Sequence, residues 1–198
     1  MKQEDKETIR FLFDTLIECS RQTFSTVLNG EDAITKQQHD IEALKNYDWV
    51  ASIILFSLDF KATFRIFYQP ETAFHICKQK TKFSDDRISN DLVFSTMREL
   101  CNLIIGTFKK NSVQNLEQKL KDRVFELSIP EETMLNEDTE ILSLKKNEYF
   151  SQWTCSFDEH QVLCCATLNI KDSSLISHLK SEKTAVVSLN KGGEIEFF

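Results

Sequence analysis

The stretch Ser95-Thr-Met-Arg-Glu-Leu-Cys-Asn-Leu-Ile-Ile-Gly106 combines an apolar pattern of helical period with a second, polar one. At about 100° per residue, four residues fall within a sector about 60° wide: Ser95, Glu99, Asn102 and Gly106. The same count places a set of apolar residues on the opposite side: Val93, Met97, Leu100 and Ile104. The stretch therefore predicts an amphipathic helix whose exposed face carries a carboxylate and an amide one turn apart.

Apolar neighbours distinguish this polar face from an ordinary solvated one. The helical count places three apolar side chains at its flanks: Leu92, Leu103 and Ile105. Gly106 on an exposed helix face costs about 1 kcal/mol relative to Ala unless another molecule approaches closely. The alternative is a solvated surface helix, which carries polar residues without any partner. We predict a docking surface with Glu99 and Asn102 at its centre and four further contact residues: Ser95, Leu103, Ile105 and Gly106.

Composition excludes several classes of protein. The chain has 198 residues, is 41% hydrophobic and contains 16 Phe, so it has the means to bury a core. Only four Gly and two Pro are present, and neither a GxxxxGK[ST] nor a GxGxxG motif occurs, which argues against the usual nucleotide-binding enzymes. A net charge of −7 without a long basic run gives little reason to bind nucleic acid.

Cysteine and histidine spacing predicts no metal site of the protein's own. The six Cys form no paired CxxC motifs, and the four His have no spacing suited to joint ligation on one helix. We expect the cysteines to be core residues of a cytoplasmic protein, with Cys164 and Cys165 on opposite faces of a strand. From its mixed charge, we expect that the start of the chain is not a signal peptide, and no apolar run in the sequence is long enough for a membrane span.

The segments before Ser95–Gly106 alternate between helix and strand patterns. Residues 4–28 have helical spacing, and residues 31–46 are polar and predict a linker or short helix. Two antiparallel strands are predicted over residues 49–58 and 62–68, and a helix from Pro70 to about Lys80. Ser84-Asp85-Asp86 is expected to cap the helix that contains Ser95–Gly106. This helix should run from about Asp86 to Lys109, with a continuation or a second helix to Lys121.

The segments after it are expected to be mostly strands. Residues 124–129 predict a strand that ends at Pro130, residues 131–138 an acidic loop, and residues 149–157 and 162–170 a hairpin. A short helix over residues 174–179 and two strands around residues 190–193 complete the chain. This order predicts an α+β fold. Residues 1–46 are expected to form a helix and linker that pack on or extend the domain, which spans residues 47–198 and includes a C-terminal extension.

The pattern Ser95-TMR-Glu99-LC-Asn102, followed later by Leu127-Ser-Ile-Pro130, resembles the helix signature of the CheC/CheX/FliY phosphatases of bacterial chemotaxis. The preceding strand-strand-helix unit is similar to that of CheX, and the likeness covers roughly residues 48–170. Three departures stand out: Asn102 and Pro130 are separated by 27 residues, a longer spacing than the family pattern has; Cys101 replaces a usual Gly; and the hairpin turn is Asp59-Phe60-Lys61.

The resemblance implies a single CheC/CheX-like domain with an antiparallel sheet and long helices packed on it. It also implies that the chain accelerates hydrolysis of phospho-aspartate on a CheY-type response regulator. Asn102 would orient the attacking water and Glu99 would pair with the regulator's lysine, while Mg²⁺ would belong to the regulator and this chain would hold no cofactor of its own. CheX-type members form dimers, so a homodimer is a further expectation.

Two alternatives stay open from the sequence. The chain is either a phosphatase or a non-catalytic module that binds a regulator or a flagellar-switch component; a structural protein with a coincidental motif would bind no regulator at all. The family is built as a pseudo-symmetric repeat, and the first helix carries Asp14-TLI-Glu18-CS-Arg21 at the same spacing. This is either a degenerate second site, with Arg where Asn is required, or an ordinary charged helix face.

Overall fold

A long hairpin sets the middle of the sheet. In the computed structural model, which describes residues 3–28, 33–38, 41–113, 124–135 and 148–171, β2 (Trp49–Ser57) and β3 (Phe60–Tyr68) pair antiparallel along their whole length. Both strands are rich in β-branched and aromatic residues, which suit a pleated, partly buried surface. The predicted hairpin is confirmed, but its turn lies at Leu58 and Asp59 and not at Asp59-Phe60-Lys61, because β3 already begins at Phe60.

The described residues form one antiparallel sheet of seven strands. Beyond the central hairpin, its strands are β1 (Ile34–Gln38), β4 (Glu126–Leu127), β5 (Glu131–Met134), β6 (Glu148–Phe157) and β7 (His160–Ile170). The strand order is β1-β6-β7-β3-β2, and β4 and β5 pair one after the other with β2. The hairpin of β6 and β7 is confirmed, and it lies between β1 and β3 in the sheet.

The long helices cover one face of this sheet. They are α1 (Gln3–Val27), α2 (Pro70–Thr81) and α3 (Asn90–Phe108), and α3 continues into a π-helical turn over Lys109–Val113. α3 contacts both other long helices, α1 and α2, and it contacts the sheet at β2 and β3. None of the described helices is both long enough and apolar enough to cross a membrane. Helices layered on an antiparallel sheet confirm the predicted α+β fold.

Each face of the sheet has its own core. The larger core lies between the helices and the sheet and includes Leu16 of α1, Leu100 of α3 and Cys164 of β7. On the other face, Leu44 from a short 3-10 helix (Ile41–Asn46) packs with a smaller set that includes Cys165. All six cysteines are buried and free. The predicted opposite orientation of Cys164 and Cys165 is therefore confirmed.

The start of α3 differs from the prediction. Ser84 precedes only a three-residue 3-10 turn (Asp85–Arg87), and its side chain caps nothing. Ser89 is the N-cap of α3, because its hydroxyl oxygen accepts a hydrogen bond from the Leu92 N–H at 3.3 Å. The prediction that Ser84-Asp85-Asp86 caps this helix is wrong. Ser and Asp can both satisfy free N–H groups, so the sequence offered two caps and the backbone uses the later one.

Two strands lie where the sequence predicted none. β1 occupies part of the predicted polar linker and pairs with β6, and β5 occupies the start of the predicted acidic loop and pairs with β2. Both lie at the margins of the sheet, where one partner strand supplies the hydrogen bonds and polar residues are tolerated. β4, in contrast, is shorter than the predicted strand over residues 124–129. The predicted helix to Lys121 beyond Val113, the helix over 174–179 and the strands around 190–193 lie outside the described residues.

Candidate functional site

The polar face of α3 is exposed as the helical pattern predicts. Ser95, Glu99 and Asn102 are exposed, and Gly106 is partly exposed. The opposite side of the helix is buried in the core, with at most 6% of any of these side chains exposed: Val93, Met97, Leu100 and Ile104. A carboxylate and an amide therefore project into solvent one turn apart, from a helix whose other side is fixed by the core.

The apolar residues that flank the polar face of α3 differ in exposure. Leu103 is 45% exposed, whereas Ile105 is fully buried in the main core. The prediction that Ile105 is an exposed contact residue is wrong. α3 lies against β2 and β5 as well as over the core, so the arc of the helix that is covered is wider than the apolar pattern alone indicates. On the described structure, the apolar surface beside Glu99 and Asn102 belongs to Leu103.

Glu99 has a partner within the chain. Lys80, in the last turn of α2, donates a hydrogen bond to Glu99 Oε2 and forms an ion pair with it. The Lys80 side chain is 25% exposed and that of Glu99 is 52% exposed. An ion pair so accessible to water contributes only about 0–1 kcal/mol to stability. Lys80 therefore has little effect on folding, and its main consequence is to orient one oxygen of Glu99.

Asn102 makes no side-chain hydrogen bond within the described part of the chain, and its side chain is exposed. An amide offers both a donor and an acceptor, and it keeps the same protonation state across the physiological pH range. Its position one turn beyond Glu99 leaves it available to a molecule that docks on α3. The exposed carboxamide is thus free to contact a water or a partner.

Gly106 is not required by packing inside the chain. A Cβ at this position would meet no atom of the described residues within 4 Å. The helix would be more stable with alanine there, by about 1 kcal/mol. The proposal that a partner approaches Gly106 closely stays a prediction, but the fold itself supplies no competing reason for glycine.

A half-buried carboxylate lies on the edge of the sheet beside α3. Glu132 of β5 is paired with Ala51 of β2, which places it on the face of the sheet that the helices cover, and α3 contacts β5. Its Oε1 is buried without a hydrogen-bond partner among the described residues, and desolvation raises its pKa to about 7. The sequence predicts an acidic loop at this position, so Glu132 was not among the predicted site residues. The sequence carries little signal for this strand, because Glu131 and Glu132 are residues that strands disfavour.

The segment around Pro130 connects β4 to β5 at this edge. The Ser128 N–H donates to the Ile54 carbonyl at 2.8 Å, and the Ile54 N–H donates to Ser128 Oγ at 3.0 Å. Ile129, which follows, is 85% exposed. Proline has no N–H to donate, so it suits the short break between two strands that share one neighbour.

On α1, the residues with the same spacing as the α3 site are paired with other side chains of their own helix. Arg21 Nε donates to Glu18 Oε2 at 2.9 Å, and Arg21 Nη2 donates to Glu18 Oε1 at 2.7 Å. Gln22 donates to Oε1 as well, also at 2.7 Å. The hydrogen bond from Arg21 holds the pKa of the Glu18 carboxyl below its usual range. Asp14 pairs loosely with Arg10 at 3.7 Å. Both carboxylate oxygens of Glu18 accept hydrogen bonds, whereas on Glu99 only Oε2 accepts one from a described residue.

Comparison with known proteins identifies the fold. No family model matches the sequence, and no curated protein matches it at the sequence level. Among solved structures, the chemotaxis protein CheX from Vibrio vulnificus superposes with a TM-score of 0.60 at 12% identity, covering 80% of this chain and 99% of that one. A chain of the CheX-CheY-BeF3-Mg²⁺ complex from Borrelia burgdorferi gives 0.57 at 14% identity, covering 81% and 97%.

The same architecture occurs in FliM middle domains. The FliM middle domain from Vibrio alginolyticus superposes with a TM-score of 0.54 at 12% identity and covers 87% of this chain and 99% of that one. Identities this low show a common fold. The chain therefore has the CheC/CheX fold that the resemblance predicted, within a group of structures that also includes FliM.

Proposed function

We propose that this protein accelerates the hydrolysis of phospho-aspartate on a CheY-type response regulator. The observation that carries the proposal is the joint exposure of Glu99 and Asn102, one turn apart on α3 of a CheC/CheX fold. The regulator docks on α3, with Leu103 in the apolar part of the contact and Ser95 and Gly106 along the polar part. Asn102 acts on the reacting water, and Glu99 binds the regulator.

The chemistry of an acyl phosphate suits an amide. Its leaving group is already good, so hydrolysis needs an attacking water held in line and stabilised charge rather than a protein nucleophile. The Asn102 carboxamide accepts a hydrogen bond from the water through its oxygen and donates one through its nitrogen. Because it does not change protonation state, it performs this role across a wide pH range.

Glu99 supplies the electrostatic contact. Its carboxylate pairs with the lysine expected beside the phosphoryl group of the regulator, and this pair fixes the register in which α3 docks. The Mg²⁺ that offsets the charge of the phosphoryl group belongs to the regulator. The complex of CheX with CheY, BeF3 and Mg²⁺ from Borrelia burgdorferi is the precedent for such a partner on this fold.

A second function is favoured by a different observation. The match to the FliM middle domain covers 87% of this chain, so the fold also occurs outside the CheX and CheC-like proteins. On this alternative, the protein is an adaptor that binds a regulator or a flagellar-switch component without hydrolysis. The two functions differ at Asn102, which a phosphatase requires and an adaptor does not. On either function the protein works in the cytoplasm, where such regulators act, and whether it does so as a homodimer stays a prediction.

The experiment that tests the proposal follows the decay of a phosphorylated CheY-type regulator from the same genome at fixed Mg²⁺. Increasing amounts of the wild-type chain are added, and binding is measured separately with the beryllofluoride form of the regulator. The proposal expects decay that becomes faster with the concentration of the chain and then saturates. Binding without faster decay would favour the adaptor, and neither binding nor faster decay would exclude both functions.

A further inference from the structure

The position of Lys80 beside Glu99 follows from the way in which α2 packs on α3. Two contacts between these helices lie one turn apart: Cys77 Sγ is 3.5 Å from Thr96 Oγ1, and Lys80 forms an ion pair with Glu99. Both contacts advance by three residues on both helices, so the helices run side by side in the same direction here. Cys77 is fully buried and Thr96 is 4% exposed. A buried contact therefore fixes the exposed one.

The end of α2 is also fixed. Lys82 adopts a left-handed conformation with φ of 59°, and its N–H closes the helix on the Lys78 carbonyl. The Lys78 ammonium forms a separate ion pair with Asp85 at 2.6 Å, toward the loop rather than toward α3. Two lysines in the same helical turn thus have different partners, and only Lys80 contacts the candidate site.

We propose that Lys80 is a positioning residue: it orients Glu99 and so strengthens the docking of the regulator. This inference rests on the proposed function. Lys80 binds Oε2 of Glu99, and Oε1 has no partner among the described residues. The free oxygen is the one that the regulator's lysine binds, so Glu99 bridges two lysines in the complex, one from each protein.

The benefit of orienting Glu99 outweighs the repulsion between Lys80 and the lysine of the regulator. The ion pair is about half exposed on the Glu99 side, so water and salt screen the interaction between the two positive charges. The geometric effect is not screened: an unpaired glutamate loses side-chain freedom when a partner binds it, whereas Glu99 has already lost part of that freedom to Lys80. The contribution of Lys80 therefore appears in the affinity for the regulator and not in the hydrolysis step.

The test measures the concentration of the chain that gives half-maximal acceleration of regulator decay, and the rate at saturation. Lys80→Met keeps the aliphatic stem and removes the charge. We expect it to raise the half-saturating concentration about three- to tenfold and to leave the saturated rate unchanged. Lys80→Arg, which keeps a donor in place, should restore most of the affinity. Lys78→Met is the matched control, because it removes the same charge from the same helical turn and should change neither quantity.

A double-mutant comparison shows whether Lys80 acts through Glu99. In a chain that already carries Glu99→Gln, the further change Lys80→Met should have little additional effect. An equal additional effect would overturn the inference, as would an unchanged or lower half-saturating concentration for Lys80→Met alone. If the Glu99→Gln and Asn102→Ala chains lose activity while Lys80→Met does not, this inference fails and the proposed function stands. If the wild-type chain does not accelerate decay, both fail.

Discussion

Arg21 donates hydrogen bonds to both carboxylate oxygens of Glu18, at 2.9 and 2.7 Å. Glu18 is the residue of α1 that corresponds to Glu99 in spacing, and neither of its oxygens is left free. On α3, Lys80 binds one oxygen of Glu99 and comes from another helix. The two sets of residues thus share a spacing. Among the described residues, however, only the set on α3 leaves a carboxylate oxygen and an amide free for a partner. This difference makes α1 an internal control for α3.

The first prediction compares the two carboxylates. Glu99→Gln should raise the concentration of the chain needed for half-maximal regulator decay at least about tenfold, because a charged hydrogen bond to the regulator is lost. Glu18→Gln removes the same charge from α1 and should leave the decay unchanged. Equal losses from both substitutions would show that the effect depends on net charge and not on the α3 face.

The second prediction separates the two apolar flanking residues. Ile105→Ala should lower the free energy of unfolding by about 2–5 kcal/mol, because it removes a fully buried side chain from the main core. Leu103→Ala should change stability by less than about 0.5 kcal/mol and weaken regulator binding about two- to tenfold. Urea unfolding and titration with the beryllofluoride form of the regulator measure the two effects. Weaker binding without any loss of stability for Ile105→Ala would contradict the burial of this residue.

The third prediction concerns the start of α3. Ser89→Ala removes the oxygen that accepts from the Leu92 N–H and should cost about 1 kcal/mol of stability. Ser84→Ala, whose side chain caps nothing, should cost much less. The comparison is made by urea unfolding of both variants at the same pH. A larger loss at Ser84 would mean that the helix begins earlier, as the sequence indicated.

The fourth prediction concerns the pH dependence of stability. Desolvation raises the pKa of Glu132 to about 7, so the folded state holds a proton on this carboxyl that the unfolded chain releases near its ordinary pKa. This protonation stabilises the fold at low pH, and the stabilisation is lost as the pH rises from about 4.5 through about 7. Glu132→Gln should therefore stabilise the protein at pH 8 by roughly 1–2 kcal/mol, a figure reduced for partial exposure, and should have little effect at pH 5.

The check on this prediction is urea unfolding of wild type and Glu132→Gln at both pH values. The gain at pH 8 should exceed the gain at pH 5. A gain of the same size at both values would mean that the amide improves packing and that the charge of Glu132 is not the cause.

Regular patterns made much of the fold predictable. The alternation along β2 and β3, and the separation of polar from apolar residues on α3, identify these elements directly, since each side chain's environment repeats with the period of its own element. The same pattern placed Glu99, Asn102 and Leu103 on the exposed face of α3. These are features that a single segment carries by itself.

Features that depend on two segments were missed. β1 and β5 are strands because β6 and β2 offer them hydrogen-bond partners, and their own polar residues carry little strand signal. Ile105 is buried because several elements pack around α3, and their arrangement is not contained in the sequence of the helix. The pairing of Lys80 with Glu99 likewise requires knowledge of how α2 packs on α3, which no spacing within either helix contains.

The most direct test of the central claim is the rate of phospho-aspartate hydrolysis in a regulator saturated with the Asn102→Ala chain, compared with wild type at equal Mg²⁺. Binding to the beryllofluoride form of the regulator is measured in parallel. The account predicts that binding is retained while the saturated rate falls about 100-fold, or to the regulator's own rate if that is faster, because the water is no longer held in line. A saturated rate close to that of the wild-type chain would contradict the role of Asn102.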